Sequence, residues 1–297
     1  MKWVWRLRTR RISFGRPLVM GIVNVTPDSF SDGGRFLDPG RAIEHGLRLA
    51  DEGADLIDVG GESTRPGARA VTAAEELHRV VPVVEGLAAR GIVVSVDTSK
   101  EVVASEAVEA GAEIVNDVGG LGSEGMRHLV ASSGVGAVVM HMQGTPQTMQ
   151  HAPYYEDVVS DVVSFLGQRL SQAIEAGCDR EALVVDPGIG FGKTAEHNLA
   201  LCNRLESLSL LGRPILIGTS RKRFLGEITG VDDPARRDHS TAVSLALAAE
   251  RGAAVLRTHN VALTREAMAV ALAIVSEGAS NLDPSVHIEP RTTTTAT

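Results

Sequence analysis

Eight short apolar runs in the sequence each end in polar or ionisable residues, and these residues could do chemistry. The run ends are Asn24, Asp58, Asp97, Asn116 with Asp117, His141, Asp186, Ser220 with Arg221 and Lys222, and Arg257 with His259. Asp and Asn are also preferred helix caps, so capping explains any single one of them equally well. Capping explains a whole ring of such residues poorly, and the ring predicts a binding site built from many strand ends.

Three of these residues, Asp97, Asn116 and Asp186, carry side-chain hydrogen-bond acceptors. A carboxylate can accept two parallel N–H bonds from the edge of an amino-pyrimidinone ring. Burying a carboxylate without such a partner is costly. The three residues therefore predict recognition of a flat heterocycle that carries N–H donors.

Basic and hydroxyl side chains are concentrated after the seventh run, in the segment GTSRKRFLG (218–226). It places Ser220 and Lys222 where a strand gives way to a helix. A helix N-terminus beside basic groups can bind a carboxylate or a phosphate. A solvated run of surface charge is the alternative explanation for residues 221–223.

Arg257 and His259 are two positions apart on the eighth run, so their side chains point to the same side of a strand. With Asn24 from the neighbouring first strand, they could hold a polyanion. The nine histidines form no zinc-binding HExxH pattern. Mg²⁺ that arrives with a phosphate ligand needs only one or two protein oxygens, and Asn24 could supply one.

Three polar segments follow strand ends. Residues 24–36 and 60–71 are long for loops between a strand and a helix, which favours mobile lids. The segment DPGIGFGKT (186–194) is not a P-loop, because Pro187 stands where the first glycine is needed. It also fails the dinucleotide-binding pattern, because Lys193 occupies the third glycine position.

The apolar runs are nearly continuous in Val, Ile, Leu, Ala and Met, which is typical of strands buried on both faces of a parallel sheet. Segments of helical period lie between them, and the repeat of about 33 residues fits one strand–helix unit. We predict an α/β fold, a (β/α)8 TIM barrel with its site at the C-terminal ends of the strands. A doubly wound open sheet is the alternative.

The chain divides into three predicted parts. Residues 1–17 are an N-terminal extension, in which the alternation over residues 6–16 predicts a short β-hairpin. Residues 18–280 form the catalytic barrel. Residues 281–297 form a C-terminal tail, frayed because EPRTTTTAT has nothing to bury.

Composition excludes several classes of protein. With 297 residues, 43% hydrophobic and 22% charged, the chain is neither disordered nor fibrous. The net charge of −8 disfavours a nucleic-acid partner. No apolar run reaches the roughly 18 residues of a membrane span, and the start does not resemble a secretory signal. The two cysteines form no CxxC and favour a cytoplasmic location.

Eight motifs occur in order over residues 20–261: MGIVNVTPDSFSDGG, IDVGGESTRPG, SVDTSK, IVNDVGG, VVMHMQGTPQTMQ, VVDPGIGFGKT, GTSRKRFLG and RTHNV. They resemble the motifs of dihydropteroate synthase, a folate-pathway enzyme and sulfonamide target, across nearly the whole barrel. The resemblance implies a transferase that joins 6-hydroxymethyl-7,8-dihydropterin diphosphate to p-aminobenzoate and releases pyrophosphate. It also implies Mg²⁺ and a homodimer.

The resemblance further implies a role for each matching residue. The pterin would be held by Asp97, Asn116, Met140, Asp186 and Lys222. The diphosphate would be held by Asn24, Thr64, Arg257 and His259, with Asn24 also the Mg²⁺ ligand. The p-aminobenzoate site would be formed by Phe30, Thr64, Arg65, Pro66, Phe191 and Ser220. The catalytic residues would be Asp97, Lys222 and Arg257.

One position, Asn260, departs from the family pattern, which often has Asp there. It leaves the Arg-x-His unit intact, so it affects only the surroundings of the site. Two other functions stay open. A pterin-dependent methyltransferase would share the pterin-holding residues but lacks NVTPDSFSDGG and the Ser-Arg-Lys unit. A pterin-binding paralogue without turnover is the non-enzymatic alternative.

Overall fold

The fold is seen in a computed structural model, which describes residues 2–26, 38–63, 70–276 and 285–291. Two strands precede the barrel, β1 (Trp3–Arg6) and β2 (Arg10–Phe14). The barrel strands are β3 (Leu18–Asn24), β4 (Leu56–Gly60), β5 (Val94–Asp97), β6 (Ile114–Asp117), β7 (Gly136–Met140), β8 (Leu183–Asp186), β9 (Leu216–Ile217) and β10 (Val255–Thr258). A last strand, β11 (Val286–Pro290), follows them.

The eight barrel strands form one parallel sheet in the order β8-β7-β6-β5-β4-β3-β10-β9. A parallel bridge between Val185 and Ile215 brings its two edges together. An open doubly wound sheet would leave its edge strands apart. The predicted (β/α)8 barrel is therefore confirmed, with one strand at each of the eight apolar runs.

Helices alternate with the strands and cover the outside of the barrel. They are α1 (Pro39–Asp51), α2 (Ala73–Ala88), α3 (Glu101–Glu109), α4 (Glu124–Ser133), α5 (Val158–Glu175), α6 (Ala195–Asn203), α7 (Arg223–Thr229), α8 (Asp238–Glu250) and α9 (Val261–Val275). The repeated Gly after α1, α3, α5 and α8 has a positive φ of 91–110°, which lets the chain turn sharply into the next strand. No helix of the described ranges is both long and apolar enough to cross a membrane.

The N-terminal hairpin covers one end of the barrel. β1 pairs antiparallel with β2, so the hairpin spans residues 3–14 and begins earlier than the predicted 6–16. Trp5 and Ile12 are fully buried among residues at the N-terminal ends of the barrel strands. The indole Nε1 of Trp5 donates to the carbonyl of Ala182 (2.9 Å), which fastens the hairpin to the start of β8.

The prediction of a frayed end over residues 289–297 is wrong for Glu289 and Pro290, which belong to the segment Val286–Pro290. These residues form β11, which pairs antiparallel with β2. Most β11 side chains are exposed, and only Val286 packs on the buried cluster. The strand is therefore held mainly by main-chain hydrogen bonds to the open edge of β2. The pattern of apolar side chains does not reveal pairing of this kind. Residues 281–284 and 292–297 of the predicted C-terminal tail lie outside the described residues, and the division at residues 17 and 280 stays a prediction.

Candidate active site

A cavity of about 740 Å³ opens at the C-terminal ends of the barrel strands, and we call it the mouth cavity. It brings together every predicted site residue that the structure describes. These are Asn24, Asp97, Asn116, Met140, Asp186, Phe191, Ser220, Lys222, Arg257 and His259. The other four, Phe30, Thr64, Arg65 and Pro66, lie outside the described residues. Residues far apart in sequence thus meet because parallel strands all end at one rim.

Arg257 links two carboxylates inside the mouth cavity. Its Nε donates to Asp58 Oδ2 (2.6 Å), and its Nη2 donates to Asp97 Oδ2 (2.7 Å). The amide of Asn116 donates to the same oxygen of Asp58 (3.0 Å). This geometry places the guanidinium beside the predicted pterin residues, whereas the sequence grouped it with the diphosphate residues.

Two carboxylates of the cavity have raised pKa values. Burial raises the pKa of Asp97 to about 7, although the guanidinium of Arg257 opposes the rise and the charge of Asp58 adds to it. Burial also raises the pKa of Asp186 to about 6, against a hydrogen bond from the Gly188 N–H (2.7 Å). The protein therefore stabilises these ionised carboxylates poorly, and a ligand that donates N–H bonds would stabilise them.

His259 connects three strand ends. Its Nε2 lies 3.2 Å from the Asn24 amide Nδ2, and its Nδ1 lies 2.8 Å from Ser220 Oγ. The backbone N–H of His259 also donates to Ser220 Oγ (3.1 Å). Ser220, predicted for p-aminobenzoate, is thus in direct contact with a predicted diphosphate residue. The two predicted subsites share a border at this imidazole.

Lys222 and Phe191 also line the mouth cavity, and they contact each other. The Nζ of Lys222 lies 4.0 Å from the centroid of the Phe191 ring, which is a cation–π contact. The predicted helix after strand seven is α7, which has only seven residues. Arg223 forms an ion pair with Glu227 at the surface. For this residue, the structure agrees with the alternative explanation of a solvated run of surface charge.

Arg221 has a structural role instead. It has a φ of +58°, which is strained for a residue with a side chain. Its guanidinium forms two hydrogen bonds with Asp238 (2.7 and 3.0 Å). Asn260 donates to the same carboxylate (3.2 Å) and caps α9 through Leu263 N. Asn260, the residue that departs from the family pattern, thus bonds Asp238, which is not one of the predicted site residues.

Sequence reasoning missed two buried residues. Asp58 was noted as a strand end but received no role, because its partner Arg257 is 199 positions away. Its second oxygen, Oδ1, has no hydrogen-bond partner among the described residues. Lys193 served only to exclude a nucleotide motif, yet it is 3% exposed and lines the mouth cavity. A buried lysine in a glycine-rich loop is the signal that could have drawn attention to it.

The described residues contain no group of three or more His, Cys, Asp or Glu side chains that could hold a metal ion. Asn24 supplies one amide oxygen at the cavity wall. Mg²⁺ keeps several waters and takes only one or two protein ligands when it binds with phosphates. Among the described residues, this single oxygen fits a Mg²⁺ that accompanies a diphosphate.

Comparisons with known proteins agree with this geometry. The model of the family described as pterin binding enzyme matches residues 20–259. A dihydropteroate synthase of Mycobacterium leprae is 50% identical over 259 residues, which cover 85% of this chain and 91% of the relative. The Xanthomonas albilineans dihydropteroate synthase with 4-aminobenzoic acid has a TM-score of 0.86 and 49% identity, covering 91% of this chain and 98% of that one. The structure from the same organism in complex with 7,8-dihydropteroate has a TM-score of 0.83 and 46% identity, covering 91% and 99%.

Proposed function

This chain belongs to the dihydropteroate synthase family of pterin-binding enzymes, and we propose from its site how it carries out the family's reaction. The enzyme transfers the 7,8-dihydropterin-6-ylmethyl group from its diphosphate to the amine of p-aminobenzoate and releases pyrophosphate. The observation that carries this conclusion is the single mouth cavity. It gathers the ten described residues that the family motifs single out.

The pterin ring is bound by the buried acceptors. Asp97, Asn116 and Asp186 present oxygens to one region of the cavity, where a flat ring with N–H donors satisfies them. Met140 offers an apolar contact to the ring, and Lys222 supplies a donor beside Asp186. Hydrogen bonds from the N–H groups of the ring would lower the pKa values of both carboxyl groups. Binding therefore favours the ionised forms of Asp97 and Asp186.

The diphosphate is bound by Asn24, Arg257 and His259. The C–O bond to the pterin methylene breaks with its electron pair going to the diphosphate, and the cation of Arg257 stabilises the growing negative charge. Mg²⁺, when bound with the diphosphate, neutralises further charge on the leaving group. Asn24 is the residue of this chain that would hold the ion.

The methylene becomes cationic as that bond loosens, and the carboxylate of Asp97 stabilises it. The amine of p-aminobenzoate then forms the C–N bond and loses one proton. An aniline is a weak nucleophile, which suits an electrophile that is already largely a cation. Phe191 and Ser220 shape the described part of the site for p-aminobenzoate.

Pyrophosphate release tests this function. Purified protein mixed with both substrates and Mg²⁺ is expected to release one pyrophosphate for each dihydropteroate formed. Omitting p-aminobenzoate is the control, and it should abolish dihydropteroate formation. A pterin-binding paralogue would bind pterin and form no product, and a methyltransferase would require a methyl donor. Either result would contradict the proposal.

We also propose that the enzyme is a homodimer that works in the cytoplasm. α8 and α9 pack together and share a surface groove of about 630 Å³. Its apolar side chains are between 52% and 72% exposed, and they are Val243, Leu247, Val270, Ile274 and Val275. A contiguous apolar face of this kind marks a protein interface. Two free cysteines support the cytoplasmic location, where disulfides are rare.

A further inference from the structure

The loop between β8 and α6, residues 187–194, is packed closely against the end of β7. A Cβ atom at Gly188 would lie 1.8 Å from the carbonyl oxygen of His141, and one at Gly192 would lie 2.5 Å from that of Gln143. Both glycines also have a positive φ. The loop carries Phe191, so its placement decides where this ring stands in the mouth cavity.

Lys193 supplies the bonds that hold this loop. Its Nζ lies 2.9 Å from each of three acceptors, the carbonyls of Gly188 and Phe191 and the Nδ1 of His141. An ammonium group has three N–H donors, and all three are matched here. The lysine therefore joins the start and the middle of the loop to the residue that follows β7.

The acceptor at His141 is held in its neutral form. Burial and the charge of Lys193 lower the pKa of His141 to about 3, so the imidazole is neutral at pH 7. Because an ammonium group only donates, its contact with Nδ1 assigns the lone pair to that nitrogen. The imidazole packs edge-on against Phe165 at a ring distance of 4.8 Å and against Tyr155 at 5.9 Å. His141 is thus a fixed acceptor, and the loop is tied to a rigid part of the barrel.

Stability alone does not explain a lysine at this position. In the described part of the chain, Lys193 forms no ion pair with a carboxylate within 4 Å, and burial lowers its pKa to about 7. Burying a cation without a paired charge is costly, and the three hydrogen bonds of Lys193 offset only part of that cost. The placement of its three hydrogen bonds points to a positional role.

We propose that Lys193 is a positioning residue: its hydrogen bonds to His141 and to the loop carbonyls set Phe191 against Lys222 and thereby shape the p-aminobenzoate site. This inference rests on the proposed function. Its main consequence concerns p-aminobenzoate, because the pterin acceptors Asp97 and Asn116 stand on β5 and β6, away from the loop. A smaller effect on the pterin is expected, because Asp186 accepts from the Gly188 N–H at the start of the loop.

The substitution Lys193→Met tests the inference, because it keeps the length of the side chain and removes every donor. The KM for p-aminobenzoate is expected to rise at least about tenfold, as for the loss of one hydrogen bond to a charged group. The KM for the pterin diphosphate should rise several-fold less than the KM for p-aminobenzoate, because only Asp186 and Lys222 of the polar pterin residues contact the loop. A KM for p-aminobenzoate within about twofold of the wild-type value, or an equal rise in both constants, would overturn the proposal.

Arg213→Met is the matched control. Arg213 is also a buried cation that donates to a main-chain carbonyl, from Nε to Leu183 (2.9 Å), but it lies at the opposite end of the barrel. The Arg213→Met variant should have a lower free energy of unfolding and an unchanged KM for each substrate. His141→Phe removes the Nδ1 acceptor of Lys193 and should also raise the KM for p-aminobenzoate. This second variant decides the question if Lys193→Met does not fold.

Hydrogen exchange separates this inference from the proposed function, because it does not depend on turnover. The Phe191 N–H donates to the carbonyl of Gly188 (3.1 Å), inside the segment that Lys193 holds. Lys193→Met should accelerate exchange of this amide at least about tenfold and leave the amides of β5 unchanged. Unchanged exchange at Phe191 would overturn the positional role, whether or not the wild-type protein releases pyrophosphate.

Discussion

The carboxyl groups of Asp97 and Asp186 lie in the mouth cavity with raised pKa values, and burial is the main cause for each. A carboxyl group with a raised pKa favours the unfolded chain when it is ionised. The two carboxylates therefore lower the stability of the folded protein, and they provide two strong hydrogen-bond acceptors for a ligand. Stability and pterin binding should respond in opposite directions when one of these charges is removed.

Asp186→Asn should make the protein more stable at high pH. The folded pKa of about 6 lies above the ordinary value of 3.8, so ionisation reduces stability as pH rises through that interval and the loss is complete above it. Asn keeps an oxygen for the Gly188 N–H. At pH 8 the free energy of unfolding should rise by about 1 to 3 kcal/mol. Urea unfolding at pH 8 and pH 4 measures this, with little difference expected at pH 4, and a less stable variant at pH 8 would contradict the argument.

Asp97→Asn should lower turnover much more than pterin affinity. The amide keeps an acceptor for the ring, while the charge that stabilises the cationic methylene is lost. Arg257 keeps its bond to Asp58 (2.6 Å), so the cavity retains its shape. We expect turnover to fall about a hundredfold or more and the pterin Kd to change less than tenfold. Steady-state kinetics and calorimetry measure the two quantities, and equal losses would exclude this role for Asp97.

At the scale of the elements, the barrel was predictable because strands buried on both faces form nearly continuous apolar runs. The meeting of the strand-end residues in one cavity was predictable for the same reason, since each run shows where its strand ends. β11 was not predictable, because its pairing depends on main-chain groups of β2 and little on its own side chains. The roles of Asp58 and Lys193 were not predictable either, since their partners are fixed by tertiary contacts.

The two ends of each strand serve different purposes. The hairpin of β1 and β2 closes the N-terminal end with large apolar side chains, whereas the C-terminal end carries the polar cavity. This division matches the general behaviour of (β/α)8 barrels, in which one face supports stability and the other carries chemistry. Changes in the hairpin should therefore act on stability and leave the substrate constants unchanged.

Trp5→Ala tests this separation. Trp5 is fully buried and donates to Ala182, so its loss leaves a cavity and an unpaired carbonyl. The free energy of unfolding should fall by about 3 to 5 kcal/mol. Trp3→Ala, two residues away on β1 and only partly buried, is the control and should cost less than half as much. Denaturation curves and the KM of the folded fraction are the measurements, and a changed KM in Trp5→Ala would refute the separation.

At the scale of the whole molecule, the groove of α8 and α9 lies on the outside of the barrel. The first residue of α8, Asp238, accepts hydrogen bonds from both Arg221 and Asn260. A partner that covers this groove would therefore pack against the helix that supports the Ser220–Lys222 turn. Dimerisation would steady that turn without contributing a residue to the cavity.

The proposed dimer predicts a specific effect of charge on this groove. Ile274 is 72% exposed at the groove, and Ile274→Glu would bury a carboxylate in the interface without disturbing the core of the monomer. We expect the dimer Kd to rise about a hundredfold or more, because an unpaired charge in an apolar interface is strongly unfavourable. Leu210→Glu is the matched control, since Leu210 is 83% exposed but lies in the 3₁₀ segment Leu205–Leu211, away from α8 and α9. Sedimentation equilibrium should show a dimer for the wild-type protein and for Leu210→Glu, and a monomer for Ile274→Glu. A wild-type monomer would contradict the proposed dimer.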